Sequence, residues 1–270
     1  MKLKVLVCIK QVPDTNNVKI DKKTGTLIRK GIKSILNPED KNALEEALRL
    51  KDKFKDVFIT VISMGPRQAS VVVKEAIAMG ADRGILLNDR KFAGSDTWAT
   101  SAILSSAIKK IKDEDGLDLI FCGRQAIDGD TAQVGPQIAQ HLQLPVISYV
   151  KELKYSDNKV LVKRAIEDGH FIVECPTPVV LTAIKQLNTP RYPQMKRIIE
   201  TFGDNPERPI ETWTSEDISL KESDMGLNGS PTRVKEIFTP SRKFEGEFLE
   251  GNSKEVARQL IVRLKERQII

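Results

Sequence analysis

At 270 residues, with 40% hydrophobic and 30% charged side chains, the chain has the make-up of a soluble globular protein long enough to bury a sizeable core. No apolar run nears the roughly 20 residues that a bilayer span requires. A net charge of +6 is scattered along the chain with only 5% aromatics, which reads as a solvated surface and not as a nucleic-acid-binding stripe.

Residues 1–5 (MKLKV) lead straight into a strand with no signal peptide, so the cytoplasm is the expected location. Residues 4–10 (KVLVCIK) read as the first central strand. Gln11-Val12-Pro13-Asp14-Thr15 then leave its carboxyl end, where open α/β sheets bind ligands. Residues 18–20 and 26–28 look like the arms of a small hairpin. Asn37-Pro38-Glu39-Asp40 predicts a helix start, with Asn as N-cap, Pro at the first helical position and acids in the first turn. Ala43, Leu44, Ala47 and Leu48 give that helix an apolar face. Residues 57–63 (VFITVIS) form a second strand, left through Met64-Gly65-Pro66, and residues 68–79 a helix that Gly80 stops. Residues 84–87 (GILL) are a third strand. A loop, 89–97, follows it, and Ser95 or Asp96 caps a helix reaching about Ile111.

The next unit is the most informative one. Leu119-Ile120-Phe121-Cys122 is a short apolar run of the kind shown by a central parallel strand covered on both faces. Gly123 ends it. Asp128, Gly129, Asp130 and Thr131 favour turns and N-caps, and Val134, Ile138 and Leu142 then recur on one helical face. Pro136 is tolerable only in the first turn of that helix. A strand, a glycine-containing loop and a helix N-terminus present unpaired N–H groups and a positive dipole end, which suit a phosphate. On spacing alone a plain βα connection is equally open, since neither a Walker lysine nor a GxGxxG is present.

Beyond Pro145 the pattern changes. Residues 146–153, 160–164 and 171–174 are strand-like, with turns at 156–158 and 168–169, and residues 178–184 (PVVLTAI) are apolar enough to rejoin the main sheet. Lys163, Arg164, Glu167 and Asp168 read as a solvated hairpin face. From Asn188 onward prolines interrupt the chain, and only residues 253–268 read as a helix, capped by Asn252 or Ser253. Such a tail needs a surface to dock on, either its own domain or a partner chain. The expected fold is therefore a doubly wound, mainly parallel α/β sheet with helices on both faces, an antiparallel hairpin addition and an extended C-terminal arm ending in a helix. Residues 1–187 are expected to form the α/β domain and residues 188–270 the loop and arm. Cys8, Cys122 and Cys175 lack CxxC spacing and read as core thiols, while His141 and His170 are not placed like catalytic bases. No catalytic residue and no metal ligand is assigned. Such a chain fits a protein whose cofactor does the chemistry.

The run Gly123-Arg124-Gln125-Ala126-Ile127-Asp128-Gly129-Asp130-Thr131-Ala132-Gln133-Val134-Gly135-Pro136 resembles the adenine-nucleotide loop of electron-transfer flavoprotein β subunits. Val162-Lys163-Arg164 through Glu167-Asp168-Gly169, then Pro178-Val179-Val180 and Leu187-Asn188-Thr189-Pro190-Arg191-Tyr192, resemble that family's second signature. The resemblance covers nearly the whole chain. It implies a heterodimer with an α subunit that holds one FAD, and a β-subunit site that holds AMP in ordinary members and a second FAD in electron-bifurcating ones. The nucleotide-contacting positions it implies are Cys8, Asn37, Pro38, Glu39, Asp40, Met64 and residues 123–134. Backbone around 130–134 would cradle phosphate, and backbone around Cys8 and Met64 would line the adenine.

Three segments resemble the bifurcating group: Val12-Pro13-Asp14-Thr15, residues 89–97, and Gly229-Ser230-Pro231-Thr232. Ordinary members also tend to carry a lysine-rich run after the Pro-Arg-Tyr motif, whereas here Lys196-Arg197 give way to Ile198-Ile199-Glu200-Thr201-Phe202. The resemblance implies an electron carrier within a flavoprotein oxidoreductase complex. Its FAD accepts hydride from NADH and passes electrons to ferredoxin and, through the α-subunit FAD, to a dehydrogenase such as an acyl-CoA or hydroxy-acid dehydrogenase. Asp14, Asp89, Arg90 and Asp96 lie on loops expected to face the flavin ring, or serve as caps and turn residues. Pro190, Arg191, Tyr192 and Met195 resemble the dehydrogenase-recognition loop, with Met195 as its exposed anchor. Two alternatives stay open: an ordinary AMP-bearing subunit with a structural role, and a non-redox adenine-nucleotide module.

Overall fold

In the computed structural model, residues 2–14, 34–203, 206–233, 235 and 246–270 are described. The hairpin expected over residues 18–28 lies outside them. The chain divides into two compact units, Met1–Lys235 and Glu236–Ile270.

The first unit is built on a nine-stranded sheet in the order β11-β5-β4-β1-β6-β10-β7-β8-β9. The strands are β1 (Leu3–Cys8), β4 (Val57–Met64), β5 (Arg83–Leu87), β6 (Leu119–Gly123), β7 (Val146–Ser156), β8 (Lys159–Ile166), β9 (Gly169–Pro176), β10 (Val179–Ala183) and β11 (Glu211–Trp213). From β11 to β7 every pairing is parallel; β7, β8 and β9 form the antiparallel extension. A separate two-stranded sheet pairs β2 (Gln11–Pro13) with β3 (Ser34–Leu36).

Side-chain alternation along β1 shows how the layers form. Val5 and Val7 point to a core shared with Ala43, Leu44, Ala47 and Leu48 of α1 (Pro38–Lys53) and with Val72, Val73 and Ala76 of α2 (Ser70–Met79). Leu6 and Cys8 point the other way. Their core includes Ile103, Leu104 and Ile108 of α3 (Thr97–Asp115), with Ile138 and Ala139 of α4 (Val134–Leu142). A strand buried on both faces needs apolar residues at nearly every position, which is why residues 5–8 of β1, all of β6 and residues 179–181 of β10 read as apolar runs.

After β1 the chain moves outward through β4 and β5, then returns by α3 to place β6 on the other side of β1. The reversal leaves a crevice beyond the carboxyl ends of β1 and β6, the switch point at which doubly wound sheets bind ligands.

Besides β2 and β3, two elements here were not expected from the sequence. α5 (Met195–Phe202) starts two residues after Pro193, and it docks where α2 ends. The Gln194 amide donates to Ala78 O at 3.0 Å, and the Arg197 guanidinium donates to Ile77 O and Ala81 O at 3.2 and 3.1 Å. A cation on the last carbonyls of a helix is electrostatically favoured. β11 is pinned to β5 by Arg83, whose fork grips both Glu211 carboxylate oxygens at 2.6 and 2.9 Å. Residues 188–235 thus belong to the first unit. In the second unit, α6 (Ser253–Glu266) is closed at its start by a capping box, with Asn252 Oδ1 accepting from the Lys254 and Glu255 amides and Glu255 returning to the Asn252 amide. No helix of the described residues is long and apolar enough to cross a membrane.

Candidate functional site

A cavity of about 360 Å³ opens at the switch point. Cys8, Ile9 and Lys10 line it from the end of β1, Met64 from the end of β4, and Cys122 and Gly123 from β6. The loop before α4 and that helix's first turn supply Arg124, Gln125, Ala126, Gly129 and residues 131–135; Asp40 comes from α1, and Ser95, Asp96, Thr97, Thr100 and Leu104 from the residues leading into α3 and its first turns.

The loop before α4 has the backbone of an anion cradle. Asp130 and Ala132 both take left-handed conformations, at φ 49° and 53°, and Gln133 between Ala132 and α4 is right-handed, at φ −104° and ψ −31°. A left-handed residue followed by a right-handed one turns successive N–H groups to the same side, a nest that binds anions. The Asp130 amide closes a turn onto Ala126 O at 2.9 Å. Among the described residues, the amides of Thr131, Ala132, Gln133 and Val134 have no hydrogen-bond acceptor. Left-handed alanine costs on the order of 1–2 kcal/mol, so the strain sits where the cradle is. At Gly129 an added Cβ would meet open space, and at Gly135 it would press on Thr182 Cγ2 at 2.8 Å, so Gly135 lets α4 start close to the sheet.

The first turn of α1 fixes this loop from behind. Asn37 holds the N-cap position, but its side chain makes no cap bond, contrary to the sequence expectation. Its amide donates to Gln125 O at 2.8 Å and its oxygen accepts from the Ile127 amide at 3.2 Å. Glu39 accepts from the Gln125 amide at 3.1 Å and pairs with Arg124 at 3.1 Å. Asp40 accepts from the Gly123 amide at 3.0 Å and from the Lys10 amide at 2.8 Å. Lys10 and Asp128 pair at 2.7 Å, and the Gln125 side-chain amide donates to Asp130 at 2.8 Å. Local propensity asked for a cap, and tertiary contacts to residues 123–127 took the side chains instead.

Burial pushes the Asp40 carboxyl up to about 7, against the Asn37 side chain, the Lys10 and Gly123 amides and the Lys10 charge, which all favour the ion. Burial also raises the Glu39 carboxyl, opposed by Arg124. The hydrogen bond with the neighbouring Cys122 thiol, and then burial, hold the Cys8 thiol well above its ordinary value. Both thiols are buried core groups, and the raised Cys8 thiol is the opposite of a reactive cysteine.

Of the residues expected at the site, Cys8, Asp40, Met64, Gly123, Arg124, Gln125, Ala126, Gly129, Thr131, Ala132, Gln133 and Val134 line the cavity. Asn37, Glu39, Ile127, Asp128 and Asp130 sit behind it and hold the loop. Pro38 is the first residue of α1, outside the lining. Asp96 lines the cavity and caps α3, accepting from the Ala99 amide at 3.0 Å. Asp14, Asp89 and Arg90 do not line it. Asp89 is tied to the Ser215 hydroxyl at 2.6 Å and to the Ser215 and Lys91 amides, and these bonds hold its carboxyl down at about 2. Ile9, Lys10, Thr100 and Leu104 line the cavity without having been singled out in the sequence, and Ser95 and Thr97 line it from the 89–97 segment without having been named as site residues. The only signal for them was position, at a strand end and at the first turn of a helix.

Arg191 forms a fork on Glu45, at 2.9 and 3.0 Å, and reaches Asp52 at 2.6 Å. Beside it Tyr192 is 92% exposed, Met195 72% and Ile199 67%. The last two lie one turn apart on α5. A larger groove of about 710 Å³ runs between α3, α4 and residues 219–224, walled by Trp98 and His141. Its rim mixes Lys109 and Lys110 with Asp113, Glu114 and Asp224 and offers no row of free amides, so the switch-point cavity is the better candidate. Among the described residues no three His, Cys, Asp or Glu side chains come together as a metal site.

An electron transfer flavoprotein domain matches residues 24–217. The chain is 51% identical to the electron transfer flavoprotein subunit beta of Thermoanaerobacterium thermosaccharolyticum, over 99% of this chain and 100% of that one. It is 52% identical to the caffeyl-CoA reductase-Etf complex subunit CarD of Acetobacterium woodii, with the same coverage. It is 44% identical to the acryloyl-CoA reductase electron transfer subunit gamma of Anaerotignum propionicum, again over 99% and 100%.

Proposed function

The chain belongs to the electron transfer flavoprotein family as a β subunit, and from that membership we propose that its switch-point cavity holds FAD as the electron-bifurcating cofactor of an αβ heterodimer. The observation that carries this reading is the row of acceptor-free amides from Thr131 to Val134, beside left-handed Ala132. A pyrophosphate or phosphate supplies the acceptors those amides lack. Cys8 and Met64, at the ends of β1 and β4, take the adenine end. Bound FAD would supply hydride acceptance from NADH and release of single electrons to ferredoxin and to the α-subunit FAD.

The chain's own residues position and shield. Asn37 and Glu39 hold residues 125–127 in place, and Leu104 and Val134 exclude water from one wall. Two of the segments that resemble the bifurcating group are joined at Asp96, which lines the cavity: the Asp96 amide donates to Ser230 Oγ at 2.9 Å, and Asp96 accepts from Thr232. Their union supports a ligand that continues past the adenosine pocket. Tyr192, Met195 and Ile199 offer an exposed apolar face for a partner enzyme. Two relatives bear the names of CoA-thioester reductase complexes, which favours a flavin enzyme acting on an acyl-CoA.

One observation favours the ordinary, AMP-bearing role. A volume of about 360 Å³ lies at the small end of the roughly 300–1,000 Å³ usual for ligand pockets, and suits a mononucleotide. An absorption spectrum with acid extraction of the purified heterodimer separates the readings. Two FAD per dimer supports bifurcation, one FAD with one AMP supports the structural role, and nucleotide without flavin leaves a non-redox module.

A further inference from the structure

Asp40 stands apart from the other acids of the site. It is buried at 7% exposure, lines the cavity, and among the described residues forms no ion pair. Its two oxygens instead accept from two backbone amides that belong to different strand exits. Lys10 N, at 2.8 Å, lies just past the end of β1, and Gly123 N, at 3.0 Å, is the last residue of β6. Those are the two strands that flank the switch point. A Cβ at residue 123 would collide with the Asp40 carboxylate and backbone, so Gly123 is the residue that lets the two approach.

A helix-dipole role does not account for this arrangement. An acid at this place in α1 would help the helix equally well facing solvent, and the ordinary capping-box bond back to the N-cap amide is absent, because the Asn37 amide donates to Lys10 O at 2.9 Å. Resting on the nucleotide reading above, we propose that ionised Asp40 is a positioning residue: one carboxylate holds the exits of β1 and β6 at the separation that admits the nucleotide, so that binding is linked to its ionisation.

The groups around Asp40 are the Lys10 ammonium beyond β1, itself on Asp128; the Cys8 thiol of β1, hydrogen-bonded to Cys122 of β6; the Asn37 side chain at the N-cap of α1; and its chain neighbour Glu39, paired with Arg124. Burial among them brings the carboxyl to about 7, where modest pH changes move it. The ionised form accepts from both amides. In the protonated form one oxygen carries hydrogen and faces an N–H donor, so one strand exit is released. Nucleotide affinity therefore falls as pH falls through neutrality, and binding near pH 7 expels a proton.

The test is calorimetric titration of the full chain with AMP and with FAD between about pH 6 and pH 8, in buffers of different ionisation enthalpy. Wild type is expected to bind about tenfold more weakly at the acid end, the factor equivalent to one pKa unit of linkage. Asp40→Asn mimics the protonated state and is expected to bind weakly at every pH with no proton release. Gly123→Ala, which displaces the carboxylate, should behave the same way. Parallel curves for the variants remove any titration of the AMP phosphate, and the FAD pyrophosphate has none in this range. Proton release by wild type needs no variant to fold. Its absence, or full affinity in Asp40→Asn, overturns the inference while leaving nucleotide binding intact. A wild type that takes up neither nucleotide overturns both.

Discussion

Asp96 and Thr232, 136 positions apart in sequence, are joined twice through one oxygen: the Thr232 amide reaches Asp96 Oδ2 at 3.0 Å and the Thr232 hydroxyl reaches it at 2.8 Å. The other Asp96 oxygen caps α3 through the Ala99 amide. These bonds hold the Asp96 carboxyl below its ordinary range against burial, the largest single influence. One side chain thus starts a helix, lines the cavity and ties Thr232 to the start of that helix. Asp96→Ala loses the cap and the clip together. A cap is worth about 1 kcal/mol and each net hydrogen bond about as much, so melting is expected to fall by roughly 5 °C. Thr232→Val keeps the cap and loses one bond, so its melting point should move by less than half as much. Differential scanning of both proteins checks the ratio; equal losses would mean that the clip, not the cap, dominates.

Ala132→Gly removes the steric cost of a left-handed alanine without deleting an amide. Relief of that strain, reduced by the greater freedom of glycine in the unfolded chain, is expected to stabilise the protein by up to about 1 kcal/mol. Nucleotide retention should be unchanged, since every N–H of the nest remains. A loss of stability in urea unfolding would show that the strain is not there to be relieved.

The sheet and α1 to α4 were legible because their signals are collective: apolar runs of strand length and apolar faces at helical spacing agree over many residues. β11 was not legible, because Glu211-Thr212-Trp213 is a strand only by pairing with β5 and by the Arg83 fork. α5 hid behind Pro190 and Pro193, and its anchors are the carbonyls at the end of α2, 116 and 120 positions away from Arg197. The site divided in the same way. Motif residues such as Gly123 and Ala126 line the cavity, whereas Asn37 fits an N-cap by every local rule and bonds residues 125 and 127 instead. Long-range hydrogen bonds leave no periodic trace in a sequence.

Arg191→Ala leaves Glu45, a carboxylate only 5% exposed, without its bidentate partner. Breaking a buried pair from one side costs about 3–5 kcal/mol, and the partial exposure of Arg191 places this one at about 3. Arg191→Lys should recover only part of it, because an ammonium cannot span both Glu45 oxygens and Asp52. Chemical denaturation of the three proteins gives the order wild type, Lys, Ala; a Lys variant as stable as wild type would reduce the fork to simple charge pairing.

Met195→Ala and Ile199→Ala delete exposed apolar surface from α5 and should leave stability within about 0.5 kcal/mol of wild type. If this face docks a partner flavin enzyme, the double variant weakens that complex by tenfold or more with flavin content unchanged. Electron transfer to the partner at an undiminished rate and saturation would remove this face from the docking surface.

Asp40 also sets a pH dependence of stability that runs opposite to most carboxylates. In the folded chain burial lifts its carboxyl from 3.8 to about 7, so between those values the native state binds a proton that the unfolded state has lost. Stability then falls as pH rises across that window and levels off above it, because the slope follows the proton difference between unfolded and native states. A displacement of about three units corresponds to on the order of 4 kcal/mol at most. Asp89, held down at about 2 by Ser215 and the Lys91 amide, contributes the usual opposite slope at lower pH, stability lost as pH falls below the unfolded value. The difference between wild type and Asp40→Asn cancels Asp89 and every other common carboxylate. The variant, which mimics the protonated carboxyl, should match wild type near pH 4, where wild type already carries the proton, and should gain on wild type steadily up to about pH 7. A difference that stays flat from pH 4 to 8 would mean that Asp40 is ionised throughout, with its two amides enough to hold the charge.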